Sequence, residues 1–220
     1  MARLRGYLLA WRGCRQAKDR RHNKAREVPE LRTIVFVTGN TGKLAEARAK
    51  LGPLGFDVTQ DKGGYPELQC DSLEEVAKEG VRAVAGRLDC DFILEDAGLF
   101  VDALHGFPGV YSAYVNKTLG CEGLLKLMDG TPENGRAARF EAVIAYYEKG
   151  TLKLFKGVCH GRISDSMRGG GGFGFDPVFV PTGDDRSFAE MCKNEKNAAS
   201  HRGRAFDQFV EYLKNGQSGH

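Results

Sequence analysis

Four short segments carry residue types suited to a phosphorylated, planar ligand. Thr38-Gly39-Asn40-Thr41-Gly42-Lys43 is a small polar turn between an apolar run of β-formers and a helical pattern. Unpaired backbone N–H groups and the helix dipole favour a phosphate at such a junction. Glu95-Asp96-Ala97-Gly98 places two carboxylates at the end of the expected strand 91–94. If that strand is parallel, they lie at the edge where open α/β sheets bind ligands. The stretch 168–177 brings four successive glycines, then Phe173, Phe175 and Asp176; aromatics beside a carboxylate suit a stacked, hydrogen-bonded base. Ser200-His201-Arg202-Gly203 precedes the last helical pattern. Neighbouring Ser and His rarely bring Oγ against the ring, and no nucleophile-elbow sequence is present, so covalent Ser–His chemistry is not expected.

Each segment also has a plainer reading. The first turn is not a Walker loop, because Val37 and Leu44 stand where a Gly and a Ser or Thr are required; its glycines would then only permit positive φ. The paired acids could be a solvated strand-end turn, the glycines a linker, and Ser-His-Arg a polar helix start. What decides is whether the fold brings the four together.

The elements that must position them follow from hydrophobic period and punctuation. Residues 34–37 read as a strand buried on both faces, and Leu44, Ala47 and Leu51 as one helical face stopped by Gly52-Pro53. A short strand is expected at 56–58, then a glycine-rich stretch in which Pro66 fixes a turn carrying Glu67. Ser72 with Glu75 forms a capping box that opens a helix over 73–88. After the strand 91–94 come a rigid aromatic loop at 106–111 and a packed helix at 121–128. Runs at 140–147 and 152–158 make a hairpin through Glu148-Lys149-Gly150. Gly161-Arg162-Ile163 is expected to begin a further strand, 178–180 a short one, and Ala205, Phe206, Phe209, Val210 and Leu213 line the final helix.

Composition narrows the class. At 220 residues and 41% hydrophobic content, one substantial domain is expected. No apolar run reaches the roughly 18 residues of a membrane span. The six cysteines have no C-x-x-C spacing, which favours reduced thiols in a cytoplasmic protein over disulfides or a zinc site. Residues 1–30 hold nine Lys/Arg against three acids, so the net +3 leaves the remainder at −3. The body is therefore not a basic nucleic-acid-binding domain. The expected division is a basic extension at 1–31, read as disordered in preference to a transit peptide or a nucleic-acid-attracting arm, a folded domain at 32–214 and a tail at 215–220.

Taken in order and spacing, these four segments, the last beginning at Glu195-Lys196-Asn197, resemble the inosine triphosphate pyrophosphatase family from about residue 32 to 213. The resemblance implies an α/β fold: an elongated mixed β-sheet with flanking helices forming two lobes around a central cleft, usually a homodimer. It implies hydrolysis of non-standard purine nucleoside triphosphates (ITP, dITP, XTP) to the monophosphate and pyrophosphate with Mg²⁺. Thr38, Gly39, Asn40 and Lys43 would hold the triphosphate. Glu67 and Asp96 would hold Mg²⁺, with Asp96 as base for the attacking water. Phe173 would stack on the purine, flanked by Ala97, Gly174 and Phe175, while Asp176 and Lys196 position the nucleotide. Ser200, His201 and Arg202 would read the base edge. The family's phosphate-facing lysine on the helix after Glu67 has only Lys78 as candidate, and the resemblance does not cover 1–31. Rival readings are a pyrophosphatase for modified pyrimidine or 7-methylguanine nucleotides, and a non-catalytic RNA-binding protein. The acids at 67 and 96 oppose the latter, since they repel a phosphate backbone unless a metal bridges them.

Overall fold

The computed structural model describes residues 32–66 and 68–217. The N-terminal extension with its scattered arginines, Cys14 and Glu67 lie outside the described residues. Strands β1 (Arg32–Val37), β2 (Phe56–Asp61), β3 (Phe92–Val101), β4 (Pro108–Gly109), β5 (Ala137–Glu148), β6 (Thr151–Ile163) and β7 (Phe179–Pro181) form one sheet, in the order β2-β1-β3-β5-β6-β7 with β4 on β3. β1 runs parallel to β2 and β3, and the remaining pairs are antiparallel. Helices are α1 (Thr41–Leu51), α2 (Leu73–Ala85), α3 (Ser112–Thr118), α4 (Gly120–Leu127), α5 (Lys193–Ala199) and α6 (His201–Gln217). The class is therefore a mixed α/β fold, as expected.

Side-chain alternation assigns the faces. Ile34, Phe36, Ile93, Ile144 and Tyr146 pack beneath α1 and α6, against Leu44, Leu51, Phe206 and Phe209. Their neighbours Val37, Phe92, Leu94, Val143 and Ala145 face the opposite way, onto Leu73, Ala77, Val81 and Val84 of α2. Farther along β3 and β5, Leu99, Val101 and Phe140 join Cys159 of β6, Phe179 of β7, residues of α3 and α4, and Phe188 in a third cluster. The stretch from Glu95 to Gly98 lies on β3 between these packed regions.

Several boundaries differ from expectation. The strand at 91–94 does not end at the paired acids: β3 continues to Val101, because β5 stays in register with it from Phe92↔Tyr147 to Val101↔Ala138. It is parallel to β1 only at Phe92 and Ile93. The acids sit where β3 outruns β1, beside the turn after Val37. Strand β2 runs on to Asp61 by pairing with all of β1. Gly161-Arg162-Ile163 does not begin a strand but ends β6, whose other edge takes β7 there. Helix α2 stops at Ala85, before Gly86. The hairpin turn is as read, with Lys149 and Gly150 both at positive φ (48° and 84°).

Candidate active site

The first turn is capped from within. Asn40 Oδ1 accepts from the N–H groups of Gly42 (2.8 Å) and Lys43 (3.1 Å), and Thr38 Oγ1 accepts from Asn40 N–H (3.1 Å). Two of the N–H groups expected to greet a phosphate are thus already engaged. Neither Gly39 nor Gly42 is at positive φ, so turn strain does not explain them. Gly42 instead makes room: a Cβ there would lie 3.1 Å from Asn40 Oδ1 and 3.7 Å from the Phe173 ring.

The turn's charge resides in Lys43. Its ammonium donates to the Glu95 carbonyl oxygen (2.9 Å) and lies 2.7 Å from Glu95 Oε2 as an ion pair. Glu95 Oε1 accepts from Arg202 Nε at 3.1 Å, and Arg202 Nη1 donates to Glu46 Oε2 at 2.9 Å. Burial alone would raise the Glu95 carboxyl, but Arg202 and Lys43 outweigh it and hold the group below its ordinary value. Burial would lower the Arg202 guanidinium, and Glu95 and Glu46 raise it instead. Arg202 Nη2 makes no hydrogen bond among the described residues, and the guanidinium carbon lies 5.2 Å from the Phe173 ring centroid.

The glycine stretch is folded down and is not a linker. Gly171 N–H donates to Ala189 O, Arg168 N–H to Pro177 O, and Phe173 N–H to Asp176 Oδ2 at 2.7 Å. Asp176 is buried and takes Lys196 Nζ at 2.5 Å; the same ammonium stands 4.4 Å from the Phe173 centroid. Phe173 itself remains 38% exposed. A large ring left half open, with two cations over it, is poised to stack on a flat ligand.

Ser200 separates α5 from α6 and caps the latter, its Oγ accepting from Gly203 N–H (3.1 Å). It is buried and lines neither cavity described below. His201 follows, stacked on Phe140 (centroids 4.6 Å, 13° between planes). Burial, then Arg202, Lys196, Lys43 and Arg204, push it well below the ordinary histidine range, so the ring is neutral at physiological pH. Its buried Nδ1 has no hydrogen-bond partner among the described residues.

These groups enclose a cavity of about 330 Å³. Asn40, Lys43, Ala97, Phe173, Gly174, Phe175, Asp176, Lys196, His201 and Arg202 all line it. An adjoining cavity of about 500 Å³ shares Lys43 and Ala97 and adds Asp96. Asp96 is half-buried on β3, its Oδ2 accepting from Tyr65 Oη at 2.8 Å. Thr38 and Gly39 shape the turn without lining either cavity, and exposed Lys78 on α2 lines neither.

Sequence reading missed five residues here. Glu46 was findable, being three positions after Lys43 and on the same helical face. Ser112 and Asn116 line the first cavity from α3, and Phe140 supports His201 from β5. Tyr65 reaches Asp96 across 31 residues of chain. No local pattern announces those four.

For a metal, no group of three or more His, Cys, Asp or Glu ligands occurs among the described residues. Glu95 is committed to two cations, so the carboxylate facing the second cavity is Asp96. One or two carboxylates, completed by substrate phosphate oxygens and water, is a donor set that suits Mg²⁺. Asp96 is a hard oxygen donor of the kind Mg²⁺ takes.

Comparison with known proteins joins this geometry to a family. Residues 34–212 match the model of the Ham1 family. The chain is 55% identical over 181 residues to a dITP/XTP pyrophosphatase of Thermococcus kodakarensis, covering 82% of this chain and 97% of that one. It is 48% identical to the dITP/XTP pyrophosphatase of Pyrococcus horikoshii, with 82% and 96% covered. Among solved structures, a HAM1 protein from Coxiella burnetii superposes with TM-score 0.75 at 30% identity, over 84% of this chain and 99% of that one. The Staphylococcus aureus Ham1 protein gives 0.74 at 31%, over 84% and 100%.

Proposed function

The chain belongs to the Ham1 family, and from that premise and the two adjoining cavities we propose that it hydrolyses non-standard purine nucleoside triphosphates to the monophosphate and pyrophosphate. The observation that carries the reading is the first cavity. A half-exposed Phe173 lies beneath Lys196 and Arg202, the latter with an Nη2 that lacks a partner among the described residues, and a buried neutral His201 lines the same cavity. A purine stacked on Phe173 would meet donors that match a 6-oxo group and oppose adenine's 6-amino group. A polar mismatch of this kind can reach roughly 10⁴-fold discrimination. Guanine shares the 6-oxo group, so only its 2-amino group counts against it. An unsatisfied buried donor costs about 1–3 kcal/mol, or roughly 5- to 150-fold.

With the base there, the triphosphate extends past Lys43 into the second cavity. Lys43 supplies positive charge, and Asp96 is the carboxylate positioned to orient a water and accept its proton as it attacks the α-phosphorus. Tyr65 holds that carboxylate by its hydroxyl. Asp96 and Glu67 would hold Mg²⁺, which would supply charge neutralisation for the leaving pyrophosphate. Attack by water needs no covalent nucleophile, and buried Cys121, with its thiol pushed up to about 11 by burial and by Asp176, is unsuited to be one. No described helix is long and apolar enough to cross a membrane. A cytoplasmic homodimer is part of the same proposal, supported by the family resemblance.

The test is Mg²⁺-dependent hydrolysis of dITP and XTP beside dGTP and dATP, with pyrophosphate and orthophosphate measured separately. Monophosphate plus pyrophosphate is expected, with dITP and XTP preferred, dGTP a weak substrate and dATP weaker still. Orthophosphate as first product, or dATP turned over better than dGTP, contradicts the reading.

A further inference from the structure

We propose that Glu95 is a positioning residue that couples recognition of the base to recognition of the triphosphate. The inference rests on the preceding reading of the cleft as a nucleotide site. Glu95 extends from β3 with its side chain wholly inaccessible, and its two oxygens serve cations from two different helices. Oε2 faces Lys43 of α1 at 2.7 Å, on the phosphate side, and Oε1 faces Arg202 of α6 at 3.1 Å, over the base ring. Lys196, the cavity's other cation, has its own carboxylate in Asp176. One buried negative charge is therefore shared between the group that meets phosphate and a group that meets the base.

Sharing has a consequence in a low-dielectric setting, where each ion pair depends strongly on what else faces the same carboxylate. A polyphosphate arriving at Lys43 competes with Oε2 for the ammonium. The Lys43 ammonium can shift from Oε2 toward the phosphate while its hydrogen bond to the Glu95 carbonyl keeps it tethered to β3. Glu95 then attends to Arg202 alone. With Nε fixed by Glu95 and Nη1 by Glu46, the guanidinium is held in one orientation above Phe173, presenting Nη2. A 6-oxo base thus binds better when phosphate is present. By linkage, polyphosphate binds better to the same degree when such a base is present.

The experiment uses the full chain with Mg²⁺ and two half-ligands, inosine and inorganic tripolyphosphate, by calorimetric titration. In the unsubstituted protein, saturating tripolyphosphate should tighten inosine at least about fivefold, the lower end of measured coupling between sites. Lys43→Met leaves Glu95 to Arg202 permanently, so inosine should bind as in the tripolyphosphate-saturated protein, with no further response. Glu95→Gln should abolish the coupling while leaving tripolyphosphate affinity equal or higher, because Lys43 is released. A role in mere stability would instead lower both affinities. Inosine affinity indifferent to tripolyphosphate in the unsubstituted protein overturns the proposal, and that arm stands even if Glu95→Gln does not fold. Parallel dITP hydrolysis separates the two failures: turnover without coupling sinks only the role of Glu95, whereas no turnover sinks the reading on which it rests.

Discussion

Gly157 on β6 sets how close the first turn of α6 comes to the sheet, and therefore where His201 and Arg202 stand. A Cβ at this position would strike the His201 carbonyl oxygen and lie 2.5 Å from Ala205 N, both backbone atoms of α6. Ordinary contact needs roughly 3.4 Å, so in Gly157→Ala the helix start must retreat by about 1 Å at Ala205 N and by more at the His201 carbonyl. Overpacking of this kind costs about 1–3 kcal/mol. Alanine's smaller unfolded-state entropy returns about 0.4–1 kcal/mol. The backbone on the other side cannot rotate away as a side chain would, so the cost wins, by roughly 1–2 kcal/mol. In a domain of this size that lowers Tm by roughly 2–8 °C. The functional effect should be larger than the stability effect, because a 1 Å misplacement can cost about a hundredfold in rate. Scanning calorimetry and kcat/KM for dITP and dGTP on the folded variant check both. A Tm at or above that of the unsubstituted protein, with dITP preference intact, would refute the claim that Gly157 places the base-reading residues.

Asp96→Asn should abolish turnover while nucleotide binding stays within tenfold; near-normal turnover would remove Asp96 from the chemical step. Tyr65→Phe keeps the ring but deletes the hydroxyl on Asp96, and should lower kcat by about tenfold with little change in KM or Tm; a rise in KM alone would assign Tyr65 to substrate binding instead. The neutral burial of His201 also predicts a pH dependence of stability. Its folded pKa lies below the ordinary 6.5, so the unfolded chain binds the extra proton first, and stability present above pH 6.5 is lost as pH falls toward the folded value. The slope approaches about 1.4 kcal/mol per pH unit. Glu95, also depressed but from 4.5, contributes only at lower pH. Tm measured between pH 7 and 5 should therefore fall with pH and flatten in His201→Gln; an equal slope in that variant would place the proton uptake elsewhere.

The sequence was most informative where a residue's task is local. Ser72 as the cap of α2, the Lys149-Gly150 turn and the apolar faces of α2 and α6 follow from neighbours a few positions away, and the structure keeps them, although the Glu75 carboxylate accepts from Asp71 N–H and so does not close the expected box on Ser72. It was less informative at strand ends. Whether β3 stops at Leu94 or runs to Val101 is settled by β5, some 45 residues later, and nothing between 92 and 98 encodes that partner. The site divides in the same way. Lys43, Asp96, Phe173 and Asp176 could be picked out because their segments have unusual local chemistry, whereas Lys196 and Arg202 took their roles from the family resemblance. What those charges do to one another could not.

That hidden pairing changes what the residues mean. Read singly, Lys43, Lys196 and Arg202 are three positive charges awaiting a polyanion; in the folded chain each already has a carboxylate, with Glu95 serving two of them. Three bare cations in a buried pocket would strain the empty fold and would bind any polyphosphate. Pairing them neutralises the empty cleft and makes a ligand compete for each charge it takes. A phosphate alone can win Lys43, but it leaves Phe173 and His201 facing an empty cavity. A base alone leaves Lys43 on Glu95. Selectivity for a whole non-standard nucleotide can thus arise from the cost of disturbing one shared carboxylate, in addition to the hydrogen bonds made at the base edge.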